Sequence, residues 1–246
     1  MKKGHSTWHI ISYVIFSVIF SLMLLLAVFL ISMCSEQDTD TVTPEGVKEK
    51  PVIVIDAGHG GEDGGAVGKN GVYEKELNLL ISEDLSDMLR AGGFEVVMTR
   101  SSDIMLYDRN ADYKGRKKML DLAARAKIAE STENCIFISI HMNSFPDAKY
   151  SGLQVYYSKN HTGSAEVAEN IQSTVRDALQ KENGRQIKPA GQNIFVLDRI
   201  RIPAVLIECG FLSNAHECQK LTEEEYQKKL SLAIFLSVSK YIDKIP

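Results

Sequence analysis

Four residues combine reactive chemistry with telling positions. His59 lies in Asp56-Ala57-Gly58-His59-Gly60-Gly61, His141 in Ser139-Ile140-His141-Met142-Asn143, and Glu208 in Ile207-Glu208-Cys209-Gly210-Phe211. Each stands at or just past the end of a short apolar run of the kind that forms a buried strand. Glu74 follows a glycine-rich stretch and opens an amphipathic segment. Zinc hydrolase sites take about three such imidazole or carboxylate ligands and leave one position for water. The metal lowers the pKa of that water to about 7 and polarises a carbonyl. A carboxylate outside the metal shell then carries the proton to the leaving nitrogen. His59, Glu74 and His141 fit the ligand set, and Glu208 fits the proton carrier.

Taken singly, each residue also has a plainer role. A histidine in a glycine loop can be a turn residue, and one at a strand end can be a hydrogen-bonded rim residue. Glu74 opening a helix is a favourable charge on the helix dipole. Glu208 can belong to a buried ion pair. The Gly58–Gly61 stretch fits neither a dinucleotide fingerprint nor a P-loop. Asp56 is either a partner that fixes the His59 imidazole or a structural strand-end aspartate. Asn143 and Asn214 either contact substrate amides or shape turns. Arg100 and Arg125 read as ion-pair or helix-face residues, with substrate anchoring as the alternative. His5, His9, His161 and His216 have no partner pattern.

These residues need a frame. The apolar runs 52–56, 94–98, 135–140 and 153–157 read as strands, followed by short strands at 194–197 and 204–208. Helical spacing marks 75–91, 116–130 and 164–182, and a capping box from Thr222 to Glu225 opens a last helix reaching about 243. Strands alternating with helices predict an α/β domain with a twisted, mostly parallel sheet. Such sheets carry their sites in loops at the carboxyl ends of strands, which is where His59, His141 and Glu208 fall.

The N-terminus points to a membrane. Lys2 and Lys3 precede an uncharged apolar run at 10–33. As a helix it spans roughly 36 Å, against about 30 Å of bilayer hydrocarbon. No A-x-A-like cleavage site follows, and Met33 fits poorly before Cys34 in a lipoprotein signal, so a retained transmembrane helix is preferred over a cleaved signal. Lysines before the run and Glu36, Asp38 and Asp40 after it place the bulk of the chain outside the cytoplasm. The expected organisation is an anchor or signal at 1–34, a polar linker at 35–50 and one catalytic domain at 51–246. A net charge of −4 argues against a nucleic-acid binder. No wall-binding repeats are visible. Cys209 and Cys218 read as two buried thiols, with a disulfide as the alternative.

The segments VIVIDAGHGGEDGGAVG (52–68), NGVYEKELNL (70–79), GFEVVMTR (93–100), DLAARAKIA (121–129), FISIHMNS (137–144) and PAVLIECGFLSN (203–214) resemble, in order, the zinc-dependent type 3 N-acetylmuramoyl-L-alanine amidases. The resemblance implies about six strands with helices on both faces and one zinc ion held by His59, Glu74 and His141. It implies Glu208 as catalytic acid and base, and peptidoglycan as substrate, cut between the lactyl group of N-acetylmuramic acid and L-alanine. A single anchor without wall-binding repeats is similar to sporulation and germination amidases of the spore cortex, where removing the peptide leads toward muramic-δ-lactam. An accessory protein is compatible with this picture and is not identifiable from the sequence. The charged 101–118 loop is longer than is typical of the family, and Met142 stands where a small residue is usual. A silent wall-binding scaffold, or a peptidase or deacetylase acting on the same polymer, are the competing functions.

Overall fold

A run of four or more consecutive apolar residues suits a strand covered on both faces, and β1 (Val52–Ala57), β3 (Cys135–Asn143) and β6 (Ala204–Phe211) are such strands. The computed structural model describes residues 5–35, 49–108, 110 and 114–244. Positions 36–48 of the expected linker and 109 and 111–113 of the charged loop lie outside the described residues. The chain divides into two units, Met1–Lys48 and Glu49–Pro246.

The first unit holds α1 (His5–Ser35), a helix of 31 residues. Among the described residues, no helix is long and apolar enough to cross a membrane.

In the second unit, β2 (Val96–Met98), β4 (Gln154–Tyr157) and β5 (Lys188–Pro189) complete the sheet. Among the described residues it has six strands in the order β2-β1-β3-β6-β4-β5. The β2-β1-β3-β6 part is parallel, and β4 turns antiparallel against β6. One face packs under α2 (Glu74–Ala91), α4 (Gly163–Leu179) and α7 (Glu224–Ile242), burying Ile53, Ile55, Ile138, Ile140, Val205 and Ile207. The other packs under α3 (Lys117–Ser131) and α5 (Phe195–Arg199), burying Val54, Phe137, Ala204 and Leu206. Strand residues alternate between these cores with period two.

Two local expectations are corrected. The 194–197 run is not a strand: Phe195–Arg199 is helical, and Asp198 and Ile200 N–H donate to the Ile194 and Val196 carbonyls. Val196, Leu197 and Ile200 bury at helical spacing, which a four-residue apolar run does not reveal. The sixth strand is instead the two-residue β5, which sequence periodicity is too short to mark. The Thr222–Glu225 capping box is also absent. Thr222 closes the short helix α6 (Ala215–Leu221), its hydroxyl donating to the Gln219 carbonyl, and Glu223 is the N-cap of α7.

Candidate active site

Parallel pairing delivers the reactive groups to one edge. His141 on β3 is the register partner of Glu208 on β6, and two residues earlier Ser139 pairs with Leu206 on one side and Asp56 on the other. Asp56, Ser139, His141 and Glu208 therefore share the face that α3 and α5 cover. The register shifts between His141 and Asn143, where the strand end bends.

The loop after β1 brings in His59. It adopts φ 61°, in the left-handed region, followed by Gly60 at φ 136° and Gly61 at φ 56°. A side chain at φ > 0 costs of order 1 kcal/mol and persists only where its surroundings hold it. Here two arginines do so. Arg125, 1% exposed, donates to the carbonyls of Ala57 (2.8 Å) and His59 (2.6 Å). Arg100 donates to those of Ala57 (2.8 Å) and Gly58 (3.0 Å). Gly58 must lack a side chain, because a Cβ there would meet His141 Nε2 at 2.3 Å. At Gly65 a Cβ would meet Glu74 Oε2 at 2.5 Å.

Glu74 opens α2 and turns inward, 4% exposed. Its Oε1 lies 2.9 Å from His141 Nδ1 and 3.2 Å from His59 Nε2. The Met142 N–H donates to Oε1 and the Ala66 N–H to Oε2. One donor atom from each of His59, Glu74 and His141 lies within 4.8 Å of the others. Ligands at 2.0–2.2 Å around a tetrahedral ion stand roughly 3.3–3.5 Å apart, so these side chains need move little to close on a cation. Asp63 makes an ion-pair contact of 3.0 Å with His59 Nδ1, on the side of the ring away from Glu74.

The electrostatics fit a cation as well. Burial alone would depress the His59 imidazole, but Asp63 and Glu74 outweigh it and lift it to about 9. Burial works against the Glu74 carboxylate too, yet His141 and His59 hold it far below its ordinary range. Three groups that crowd charge together without a metal suit one that carries positive charge itself. Glu208 differs: burial pushes its carboxyl up to about 7 against the pull of His141. Its Oε2 is shut off from solvent and has no hydrogen-bond partner among the described residues.

The remaining sequence candidates separate. Asp56 does not reach His59. Its carboxylate accepts from Thr99 (2.8 Å), Ser139 (2.6 Å) and Arg125 (2.6 Å), which makes it the buried counter-ion of the arginine that holds the His59 loop. Asn143 ends β3 and pairs its backbone with the β6 end. Asn214 caps α6, accepting from the Glu217 N–H, and donates to the Ala148 carbonyl, so it shapes a turn. Cys209 and Cys218 are buried free thiols. The sequence reading passes over Asp63, whose one signal is its place four residues after His59 in the glycine loop.

Comparisons with known proteins agree with this geometry. The sequence profile of the N-acetylmuramoyl-L-alanine amidases matches residues 53–240. The chain is 35% identical over 190 residues to the germination-specific N-acetylmuramoyl-L-alanine amidase of Bacillus subtilis, covering 77% of this chain and 79% of that protein. It resembles the CwlD amidase of Clostridioides difficile, solved in complex with the GerS lipoprotein, at 39% identity and a TM-score of 0.75 over 79% of this chain and 99% of that one. It also resembles an N-acetylmuramoyl-L-alanine amidase from Clostridium difficile 630 at 31% identity and a TM-score of 0.70, over 81% and 100% of the two chains. A profile spanning most of the folded unit, and a His-Glu-His cluster with Glu208 on the neighbouring strand, lead to one conclusion: the chain belongs to the N-acetylmuramoyl-L-alanine amidase family, enzymes that act on peptidoglycan.

Proposed function

We propose that this amidase is a zinc enzyme of the spore cortex, with His59, Glu74 and His141 as its ligands and Glu208 as its proton carrier. The observation that carries it is the convergence of those three side chains next to a carboxylate whose Oε2 is shut off from solvent and unpartnered among the described residues. When bound, zinc supplies Lewis-acid polarisation of the scissile carbonyl and acidifies water. His59 and His141 hold their positions through the arginine-clamped loop and the β3 strand end. Glu208 takes the proton of the attacking water and delivers it to the departing L-alanine nitrogen. The C–N bond breaks, leaving a lactyl carboxylate on the glycan and a free amine on the peptide. Asp63 orients His59 from behind.

The cortex assignment is supported by similarity to the germination-specific amidase and to CwlD. Removing the stem peptide frees the lactyl carboxyl, the group that a later lactam closure requires. The same similarity supports an accessory lipoprotein as partner. Residues 1–34 anchor the chain and 35–50 link them to the catalytic domain at 51–246, which acts outside the cytoplasm. This rests on the uncharged 10–33 run, the two leading lysines and the length of α1.

The test is mass spectrometry of purified cortex peptidoglycan after digestion by the detergent-solubilised chain with zinc. Stem peptides beginning at L-alanine, absent with Glu208→Ala, are the expected products. Cleavage within the stem, or loss of acetyl groups, overturns the bond assignment.

A further inference from the structure

Arg185 is a cation with no direct ion pair among the described residues. It lies between α4 and β5, half-buried. Its Nη1 donates to Gln154 Oε1 (3.0 Å) and its Nε to the Ser151 carbonyl (2.8 Å), both neutral acceptors. The guanidinium packs 4.5 Å from the centre of the buried Phe211 ring. No carboxylate among the described residues forms an ion pair with it. Glu217 attracts it without forming an ion pair, because both its oxygens are turned to the Gly152 and Phe211 N–H groups. Two hydrogen bonds and an aromatic platform fix the guanidinium in place, which lowers the entropy cost of binding an anion.

Its position ties it to the chemistry. Gln154, which holds Nη1, is the register partner of Glu208 across the antiparallel β4–β6 pair. Partners in adjacent strands stand about 5 Å apart, so Arg185 is one side chain removed from the proton carrier. It also lines a crevice of about 580 Å³ whose wall includes Lys181, His216 and Lys220, with Glu182 and the buried Glu217 as its acids.

The charge of the substrate is unevenly placed. The carboxyl of muramic acid is consumed in the scissile amide and the sugars are otherwise neutral, whereas the stem peptide carries free carboxylates. A fixed arginine that makes no direct ion pair among the described residues therefore marks the peptide side. We infer that Arg185 binds a free carboxylate of the stem peptide, placing the leaving group in the crevice between the 179–185 segment and α6 and the glycan on the opposite flank of Glu208. This rests on the amidase reading of the His59 and Glu208 site. Arginine suits it because the fork matches a carboxylate.

The experiment compares two synthetic muropeptides, one with free stem carboxylates and one with these converted to carboxamides. Full-length wild type, Arg185→Ala and Arg185→Lys are assayed on both. Wild type should favour the acid by about ten- to a hundredfold in KM, the range of a charge-assisted hydrogen bond. Arg185→Ala should lose that preference with little change in kcat and no change on the amide, and Arg185→Lys should retain part of it. An equal loss on both substrates, or a wild type blind to the carboxylates, overturns the assignment, since lost packing on Phe211 would not discriminate. If wild type cleaves neither muropeptide, the amidase reading fails instead. Calorimetry with the free stem peptide and its carboxamide then decides on Arg185 alone: tighter binding of the acid, lost in Arg185→Ala, upholds it, and equal binding overturns it.

Discussion

His59, Glu74 and His141 bring donor atoms within 4.8 Å of one another, and Glu208 is the register partner of His141, yet the four do different work. The three that crowd around Glu74 Oε1 suit a metal, whereas Glu208 stands apart with an unpartnered oxygen. Glu208→Gln is expected to keep stoichiometric zinc, measured by plasma emission, and to lose turnover by about 10²–10⁴-fold, the range for a positioned acid–base group. His141→Ala should lose both zinc and turnover. Gly58→Ala tests the packing of the ligand: the added methyl must push His141 aside. Zinc affinity by competition with a chelating dye should fall by about ten- to a hundredfold, as for groups that orient ligands, and unchanged affinity would refute this account of Gly58.

At the scale of elements, α3 reaches under the site. Arg125 bridges Asp121 on its own helix and Asp56 on β1, both away from water, and also donates to the His59 carbonyl. Removing one side of a buried pair strands the other, so Arg125→Met is expected to destabilise the fold by about 3–5 kcal/mol, read as a lowered Tm. Burial would raise the Asp56 carboxyl, but Arg125 and the Ser139 and Thr99 hydroxyls outweigh it and hold it below its ordinary 3.8. A depressed carboxyl stabilises fully above the unfolded value and loses that contribution as pH falls through the folded one. The Tm gap between wild type and Asp56→Asn should thus be widest above about pH 4 and close as the solution is acidified. A gap independent of pH would rule out the charge and leave only shape.

For the whole molecule, metal should act as a ligand of the folded state. Chelation is expected to abolish hydrolysis and lower the Tm of the second unit, and zinc in excess of its dissociation constant should restore both. A hundredfold excess stabilises by about 2.7 kcal/mol. The proposed anchor makes a separate claim: the full chain should sediment with membranes, whereas deletion of residues 1–34 should yield a soluble protein with the same activity per molecule. Recovery of the full chain in the soluble fraction would remove the anchor.

The α/β class and parallel sheet were legible because apolar runs alternate with helical spacing along the chain, and His59, His141 and Glu208 were legible because each sits beside such a run. Element ends were legible to within a few residues. The Phe195–Arg199 helix was not, since four apolar residues satisfy either period, and β5 was too short to show one. Asp56 illustrates the deeper limit. Its sequence neighbourhood suggested a histidine partner, but the nearer charge in three dimensions is Arg125, 69 positions away, while Asp63 takes the place beside His59. Arg185 shows the same limit, because nothing local distinguishes it from other arginines. Sequence determined which residues stand at strand ends, since backbone periodicity is a local property. Only the tertiary structure decided which charges neutralise one another and which remain free, because pairing depends on the register of strands brought together from distant parts of the chain.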